Sequence, residues 1–254
     1  MTSPIVERAA GAVALGAMLA TPFVPRSSRR RLALTWVTVV SGATRTWAIE
    51  RRCRGAAAAT ATAGAVTVGT LAAEAWGVGS GRLFGRYAYT DRLRPHVAAV
   101  PVLVPLAWYA VALPARAVAH RALGARTTPG RRVGLGAVAL TAWDLFLDPQ
   151  MTAEGHWRWP AGGRYRGVPL HNYAGWLVVA AAVMTALERS TASTDDAHLT
   201  TYGALATLET LAFSTFWRDP LVALAGGGTM LPLTAAALAQ RSAAARAVAS
   251  MRAT

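Results

Sequence analysis

The chain has 254 residues, of which 54% are hydrophobic and 15% are charged, whereas an ordinary soluble domain has about 25% charged residues. All 26 basic residues are arginines, and the formal net charge is +14. Because the arginines lie between apolar blocks, they are typical of helix-flanking charges that face lipid headgroups; nucleic-acid binding is not expected. A single cysteine, Cys53, excludes a disulfide within the chain.

Apolar segments follow one another along the chain, and a membrane-spanning helix needs roughly 20 mostly apolar residues. The segments cover residues 9–24, 32–49, 56–76, 96–118, 133–147, 170–187, 200–216 and 221–239. The first and fifth are short for a span, so we expect an all-α, polytopic transmembrane helix bundle with about seven or eight spanning helices. We expect residues 1–254 to form one multi-pass domain in the cell membrane. Pro101, Pro105 and Pro114 are expected to kink the fourth segment.

Acidic residues inside these segments are the sharpest functional signal, because a charge in the bilayer is costly and usually faces the interior of the bundle. Glu74 lies near the end of the third segment, Asp144 and Asp148 lie at the end of the fifth, and Glu209 lies within the seventh. Asp144 and Asp148 are four residues apart and share a helix face, and Pro149 is expected to end that helix.

Two close carboxyl groups in an apolar pocket do not both ionise easily, so one can remain protonated and act as an acid. A structural alternative is that Asp148 caps a turn while Asp144 pairs with an arginine.

Residues 154–176 form a segment rich in glycine, aromatic and polar residues. Tryptophans belong to the membrane interface as anchors, which explains Trp157, Trp159 and Trp176 on their own. Interfacial anchoring does not explain why His156 and Asn172 lie so close to the aspartates in the sequence. Such a long, polar segment is more typical of a functional loop. Metal ligation by the histidines is not predicted, because their spacing matches no metal motif.

The connection over residues 77–91 is rich in glycine but lacks the Lys-Ser/Thr ending of a phosphate-binding loop, so nucleotide binding is not expected. Tyr87, Tyr89 and Asp91 are predicted to line a cavity mouth together with Glu74. The alternative is an interfacial aromatic belt.

Several blocks resemble one membrane enzyme family. They are residues 143–151 (WDLFLDPQM), 155–159 (GHWRW) and 167–176 (GVPLHNYAGW), preceded by Glu74 with Gly77, residues 84–90 (FGRYAYT) and residues 100–108 (VPVLVPLAW). Together they resemble the membrane carotenoid hydratases, which include the carotenoid 1',2'-hydratases and the bisanhydrobacterioruberin hydratase. The resemblance covers about residues 70–190. His156 and Tyr173 stand where other aromatic residues are expected in that family.

The resemblance implies a long acyclic carotenoid with a terminal trisubstituted alkene as substrate, addition of water to give a tertiary alcohol, and no cofactor. In this hypothesis Asp144 or Asp148 donates the proton, and the other of the pair, or Glu74, holds and deprotonates the water. Asn172 and His171 are predicted to orient the water.

Aromatic side chains complete the predicted site, because their faces can stabilise a developing cation. The predicted substrate-binding residues are Trp157, Trp159, Tyr165, Trp176, Tyr87 and Tyr89.

Three other functions remain open from the sequence. A carotenoid cyclase would use the same protonation step but capture the cation with an internal alkene. A non-catalytic carotenoid-binding subunit would use the aromatics but not the acid pair. A proton-coupled transporter would use Glu74, Asp144 and Glu209 as a relay, although we see no repeated halves with broken helices. The oligomeric state is not determined by the sequence.

Overall fold

Residues 3–26 and 28–253 are described by the computed structural model, and within them the chain forms eight α-helices joined by short strands and turns. The helices are α1 (Ser3–Ala20), α2 (Arg29–Arg54), α3 (Ala56–Ser80), α4 (Leu103–Leu123), α5 (Pro129–Ala153), α6 (Leu170–Arg189), α7 (Asp196–Thr215) and α8 (Pro220–Ala253). The strands are β1 (Ala88–Tyr89), β2 (His96–Val97), β3 (Val100–Pro101) and β4 (Trp157–Arg158). The antiparallel pairs are β1 with β4 and β2 with β3.

Membrane-spanning character is clear in five of the helices that the structure describes, which are long and apolar enough to cross a bilayer. These are α1 with the turn that follows it, α3, α4, α6 and the first part of α8. The other three are also long, with 26, 25 and 20 residues in α2, α5 and α7. Several of their ionisable residues are buried in the bundle, among them Glu50, Asp144 and Asp148. The predicted all-α membrane helix bundle is confirmed.

Helix α4 is the centre of the bundle. It packs against α2, α3, α5, α6, α7 and α8, and most of its length is buried. Polar contacts join the C-terminal ends of α2, α4 and α6 to the segment before α7. The chain therefore crosses back and forth, and the bundle has two ends. We call one the long-loop end, because it carries residues 81–102 and 154–169, and the other the short-loop end.

The predicted fourth segment begins too early, because residues 96–101 contain the hairpin of β2 and β3 and α4 starts at Leu103. Pro101 therefore lies outside the helix, whereas Pro114 lies inside it. A proline has no N–H for the carbonyl four residues earlier, which here is that of Ala110. The Thr46 hydroxyl donates a hydrogen bond to that carbonyl at 3.1 Å, so α4 accommodates Pro114 with the help of α2.

The prediction that Pro149 ends its helix is wrong, because α5 continues to Ala153. Pro149 leaves the carbonyl of Leu145 without its helical N–H partner. The hydroxyl of Tyr165 donates to this carbonyl at 2.8 Å and so replaces the missing bond. Asp144 and Asp148 consequently lie inside α5, with Asp148 more than one turn and Asp144 more than two turns before its end.

Candidate active site

Glu74, Asp144 and Asp148 meet near the long-loop end of the bundle. Glu74 comes from α3 and the aspartates from α5, and all three are buried. They lie close enough for their charges to act on one another. Among the described residues, no arginine or histidine forms a hydrogen bond or ion pair with any of them. Three buried carboxyl groups without a counter-cation are suited to carrying protons, because full ionisation would leave uncompensated charges in an apolar surrounding.

Three donors hold the carboxyl group of Glu74. The hydroxyls of Tyr87 and Tyr89 donate to Oε2 at 2.5 and 2.9 Å, and the Trp108 indole N–H donates to Oε1 at 3.2 Å. Burial, and next the charge of Glu74, raise the pKa of Tyr87, so its hydroxyl remains a donor. Tyr87 and Tyr89, predicted to bind substrate, are therefore placed to orient Glu74.

A second chain of hydrogen bonds holds Asp148. The Trp176 indole N–H donates to Oδ1 of Asn172 at 2.9 Å, and the Asn172 amide donates to Oδ2 of Asp148 at 2.6 Å. Asn172 and Trp176 can act together because they are four residues apart on α6. Oδ1 of Asp148 is buried and has no hydrogen-bond partner among the described residues. The Trp157 indole N–H faces this carboxyl group without hydrogen-bond geometry.

Helix α6 reaches this position because of Gly175. A Cβ atom at this residue would collide with the backbone carbonyl of Leu83. The absence of a side chain lets α6 approach residues 81–102 closely and brings Asn172 and Trp176 under that loop.

Asp144 forms part of the wall of a cavity of about 60 Å³, which we call the acid cavity. It is the one carboxyl group of the three on that wall. The rest of the wall is almost entirely apolar and includes Trp108, Trp157 and Trp176. Trp108 and Trp176 stack with ring centroids 4.4 Å apart. A ligand bound in this cavity would contact one carboxyl group and several aromatic rings.

The two long loops cover the site and are tied together. Strand β1 pairs with β4, the Thr90 amide donates to the His156 carbonyl at 2.9 Å, and the Trp159 indole N–H donates to the Phe84 carbonyl at 3.0 Å. Trp159 also stacks on Tyr87, with centroids 5.4 Å apart. The two loops therefore form one joined cover at this end of the bundle.

Not every predicted site residue joins the carboxyl groups. Of the six predicted substrate-binding residues, Trp157 and Trp176 line the acid cavity. Trp159 joins the loops and Tyr165 supports α5 at Pro149, as described above. His171 is exposed and lies beside Gly85, and Asp91 is exposed and pairs with Arg94.

His156 is also outside the carboxyl group cluster. It is buried, and its Nε2 lies 3.5 Å from Oε2 of Glu154, whose Oε1 is 2.6 Å from Arg31. This neighbouring ion pair is a separate charged group at the same end of the bundle.

Trp108 is the main site residue that the sequence reasoning did not select. It lies in the block 100–108 that carried part of the family resemblance, and it shares one face of α4 with Val104, four residues earlier. Both residues line the acid cavity. Trp108 could have been selected from the sequence, because it is an indole among aliphatic residues within the predicted fourth segment.

Comparison with known proteins adds one finding to this geometry. The profile of a family described as carotenoid biosynthesis protein matches residues 32–241, which is most of the chain and includes every residue of the site. The chain belongs to this family. No curated protein and no solved structure matches it.

Membership gives this carotenoid biosynthesis protein its place in metabolism and indicates an enzyme of that pathway. Together with its apolar helices, membership fits a membrane-embedded protein that handles carotenoids. The acid cavity is consistent with such a role, because its apolar wall suits a hydrocarbon and its carboxyl group suits proton transfer.

Proposed function

We propose that the protein is a carotenoid hydratase of the cell membrane, which adds water to the terminal double bond of an acyclic carotenoid and yields a tertiary alcohol. The observation that carries the proposal is Asp144, a carboxyl group on the wall of an apolar, aromatic cavity, with no cationic partner in the part of the chain that the structure describes. An unactivated alkene is a weak base, so its protonation requires a positioned acid in a site with little water.

Asp144 is the proton donor in this proposal. Its proton passes to the less substituted carbon of the alkene, the double bond supplies the electron pair for the new C–H bond, and the other carbon becomes a tertiary cation. The faces of Trp108, Trp157 and Trp176 line the same cavity and stabilise the cation by cation–π attraction.

Water then attacks the cation, and a carboxylate takes a proton from the water. Asp148 suits this role because its Oδ1 has no partner among the described residues while Asn172 fixes the rest of the group. Glu74, held by three donors, is the alternative base. A proton must finally return to Asp144, which Asp148 can supply because the two lie one turn apart on α5. The balance is alkene plus water to alcohol, without a change of redox state.

His171 has no part in this mechanism, because it is exposed on the outer side of α6. Of the two residues predicted to orient water, Asn172 alone keeps this role in the proposal, because it is buried and donates a hydrogen bond to Asp148.

The test is expression in bacterial hosts that make lycopene or a longer acyclic carotenoid, with the pigments read by mass spectrometry. We expect a product heavier by one water with an unchanged chromophore. In deuterium oxide the purified enzyme should place one deuterium on the less substituted carbon. An isomer of unchanged mass with an altered spectrum would identify a cyclase instead. Unchanged pigments in both hosts, with the protein present in the membrane, would reject the proposal.

A further inference from the structure

A long apolar groove runs between α1 and α7, with α2, α4 and α5 as its floor. It consists of two adjoining cavities of about 300 and 340 Å³, whose walls share Met18, Thr38, Val39, Trp143 and Leu208. The groove remains open because the helix contacts of α1 are concentrated on α2. One side of α1 and the facing side of α7 are therefore left without a helix between them.

The lining of α7 shows how far the groove extends. Thr200, Ala204, Leu208 and Ala212 line it at intervals of four residues, which is one face of a helix. The distance from the first to the last is about 18 Å at a rise of roughly 1.5 Å per residue. Trp217 lengthens the groove beyond the end of α7. The groove thus follows much of a hydrocarbon core that is about 30 Å thick.

Polar side chains occur on the groove wall in both halves. Arg45 lines the half toward the short-loop end, where its Nε donates to Thr201 at 3.0 Å and its Nη1 donates to the Glu7 carbonyl at 3.2 Å. Glu209 lines the other half. The wall between them is apolar for most of its length, which suits a hydrocarbon rod more than a polar solute.

The groove adjoins the acid cavity. Val39 and Trp143 line both halves of the groove and also the acid cavity. Trp143 immediately precedes Asp144 in α5. A residue shared by the groove and the acid cavity, and the carboxyl group of that cavity, therefore lie on the same helix turn. A chain lying in the groove would therefore lie against Trp143, next to the proposed proton donor.

We propose that the groove binds the polyene chain of the substrate, with the end group passing Trp143 into the acid cavity. The proposal rests on the proposed function and deepens it, because it assigns a binding site to the long unreactive part of the carotenoid. A phospholipid acyl chain would suit an apolar groove equally well, but a lipid site would have no need of the junction with the acid.

The test measures binding separately from catalysis. An Asp144→Asn protein, which retains bound substrate if Asp144 is the acid, is placed in lipid nanodiscs with dilute lycopene. Lycopene is achiral and shows no circular dichroism when free in a bilayer, so a signal in its visible band reports a chiral protein site. Leu208→Trp is added to fill the groove at the point shared by its two halves. The matched control is Leu224→Trp, on the surface of α8, where Leu224 is 74% exposed.

We expect the Asp144→Asn protein and its Leu224→Trp form to give the same induced signal. The Leu208→Trp form should bind about tenfold more weakly, a loss of roughly 1.4 kcal/mol. Equal signals from the two tryptophan variants, or no signal in the Asp144→Asn protein, would overturn the groove assignment. These results do not depend on hydration, so a failure of the proposed function, seen as unchanged pigment mass, is distinguishable from a failure of this inference.

Discussion

Glu188, at the short-loop end, and the three carboxyl groups of the candidate site, at the long-loop end, have opposite kinds of partner. The carboxylate oxygens of Glu188 lie 3.0 Å from a nitrogen of Arg116, 2.7 Å from Nε2 of His120 and 3.3 Å from a nitrogen of Arg132. At the long-loop end, tyrosine and tryptophan donors hold Glu74 and an asparagine donor holds Asp148. None of the three carboxyl groups of the candidate site has an arginine partner among the described residues.

This difference separates structural carboxylates from those suited to proton transfer. An arginine partner stabilises the ionised form, so a carboxylate such as Glu188 keeps its charge and joins helices. Neutral donors can orient a carboxyl group without fixing its charge. The chain has 26 arginines, yet none of those that the structure describes pairs with Glu74, Asp144 or Asp148, and this contrast supports the proposed role in proton transfer. The predictions below test this contrast.

The largest effect is expected from Asp144→Asn, which keeps the shape of the side chain but removes its acid. Loss of a general acid costs about 10²–10⁴-fold in rate, so product should become nearly undetectable in the lycopene host while the protein level stays normal. Glu188→Gln is the control, and it should leave activity per folded protein nearly unchanged. Equal product from Asp144→Asn and wild type would refute the assignment of the acid.

The next effect concerns stability and the ion pair of Arg31 with Glu154, both buried at the long-loop end. Arg31→Met leaves the Glu154 carboxylate without its main partner, and breaking a buried pair costs roughly 3 kcal/mol or more. Thermal unfolding in detergent should show a clear fall in midpoint. Adding Glu154→Gln should recover part of the loss, because the unpaired charge disappears. If Arg31→Met alone were as stable as wild type, this ion pair would not contribute to the stability of the fold.

A smaller effect on activity is expected from Trp108→Phe. The change removes the N–H that holds Glu74 but keeps an aromatic face toward the acid cavity, so we expect about a tenfold lower rate, or roughly 1.4 kcal/mol. Trp159→Phe is the matched control, because its indole N–H binds the Phe84 carbonyl outside that cavity. If both variants lose activity equally, general loosening of the loops explains the result and not the support of Glu74.

The smallest effect belongs to Asp195, which precedes α7 and pairs with Arg52 at 3.0 Å. Hydrogen bonding from Arg52 lowers the pKa of Asp195 from 3.8 to about 2. A lowered folded-state pKa contributes stability above pH 3.8, and this contribution is lost as the pH falls through about 2. Because the pair is partly exposed, its worth is below about 1 kcal/mol.

Asp195→Asn tests this contribution while retaining an N-cap side chain. Unfolding midpoints should be slightly lower than in wild type at neutral pH and should converge with it toward pH 2. A difference that persists in acid would show that the effect is steric and not electrostatic.

The sequence by itself determined the membrane helix bundle, because crossing a bilayer depends on a local run of apolar residues. It also determined that Asp144 and Asp148 share a helix face, since four-residue spacing is a local property of α-helices. Asn172 was selected beside this pair from sequence position, and the structure places it against Asp148. Local reasoning failed at Pro149, because the hydroxyl that compensates for its missing hydrogen bond belongs to Tyr165, in another segment.

Only the tertiary structure decided which aromatics line the acid cavity and which support it. Trp157 and Trp176 turn toward the cavity, whereas Tyr87 and Tyr89 turn toward Glu74 and Trp159 joins the two loops. The sequence marks all of them alike as aromatic residues near a membrane interface. Their orientation depends on the pairing of residues 81–102 with residues 154–169, and on the close approach of α6 at Gly175. Such contacts join distant parts of the chain, so no local pattern contains them.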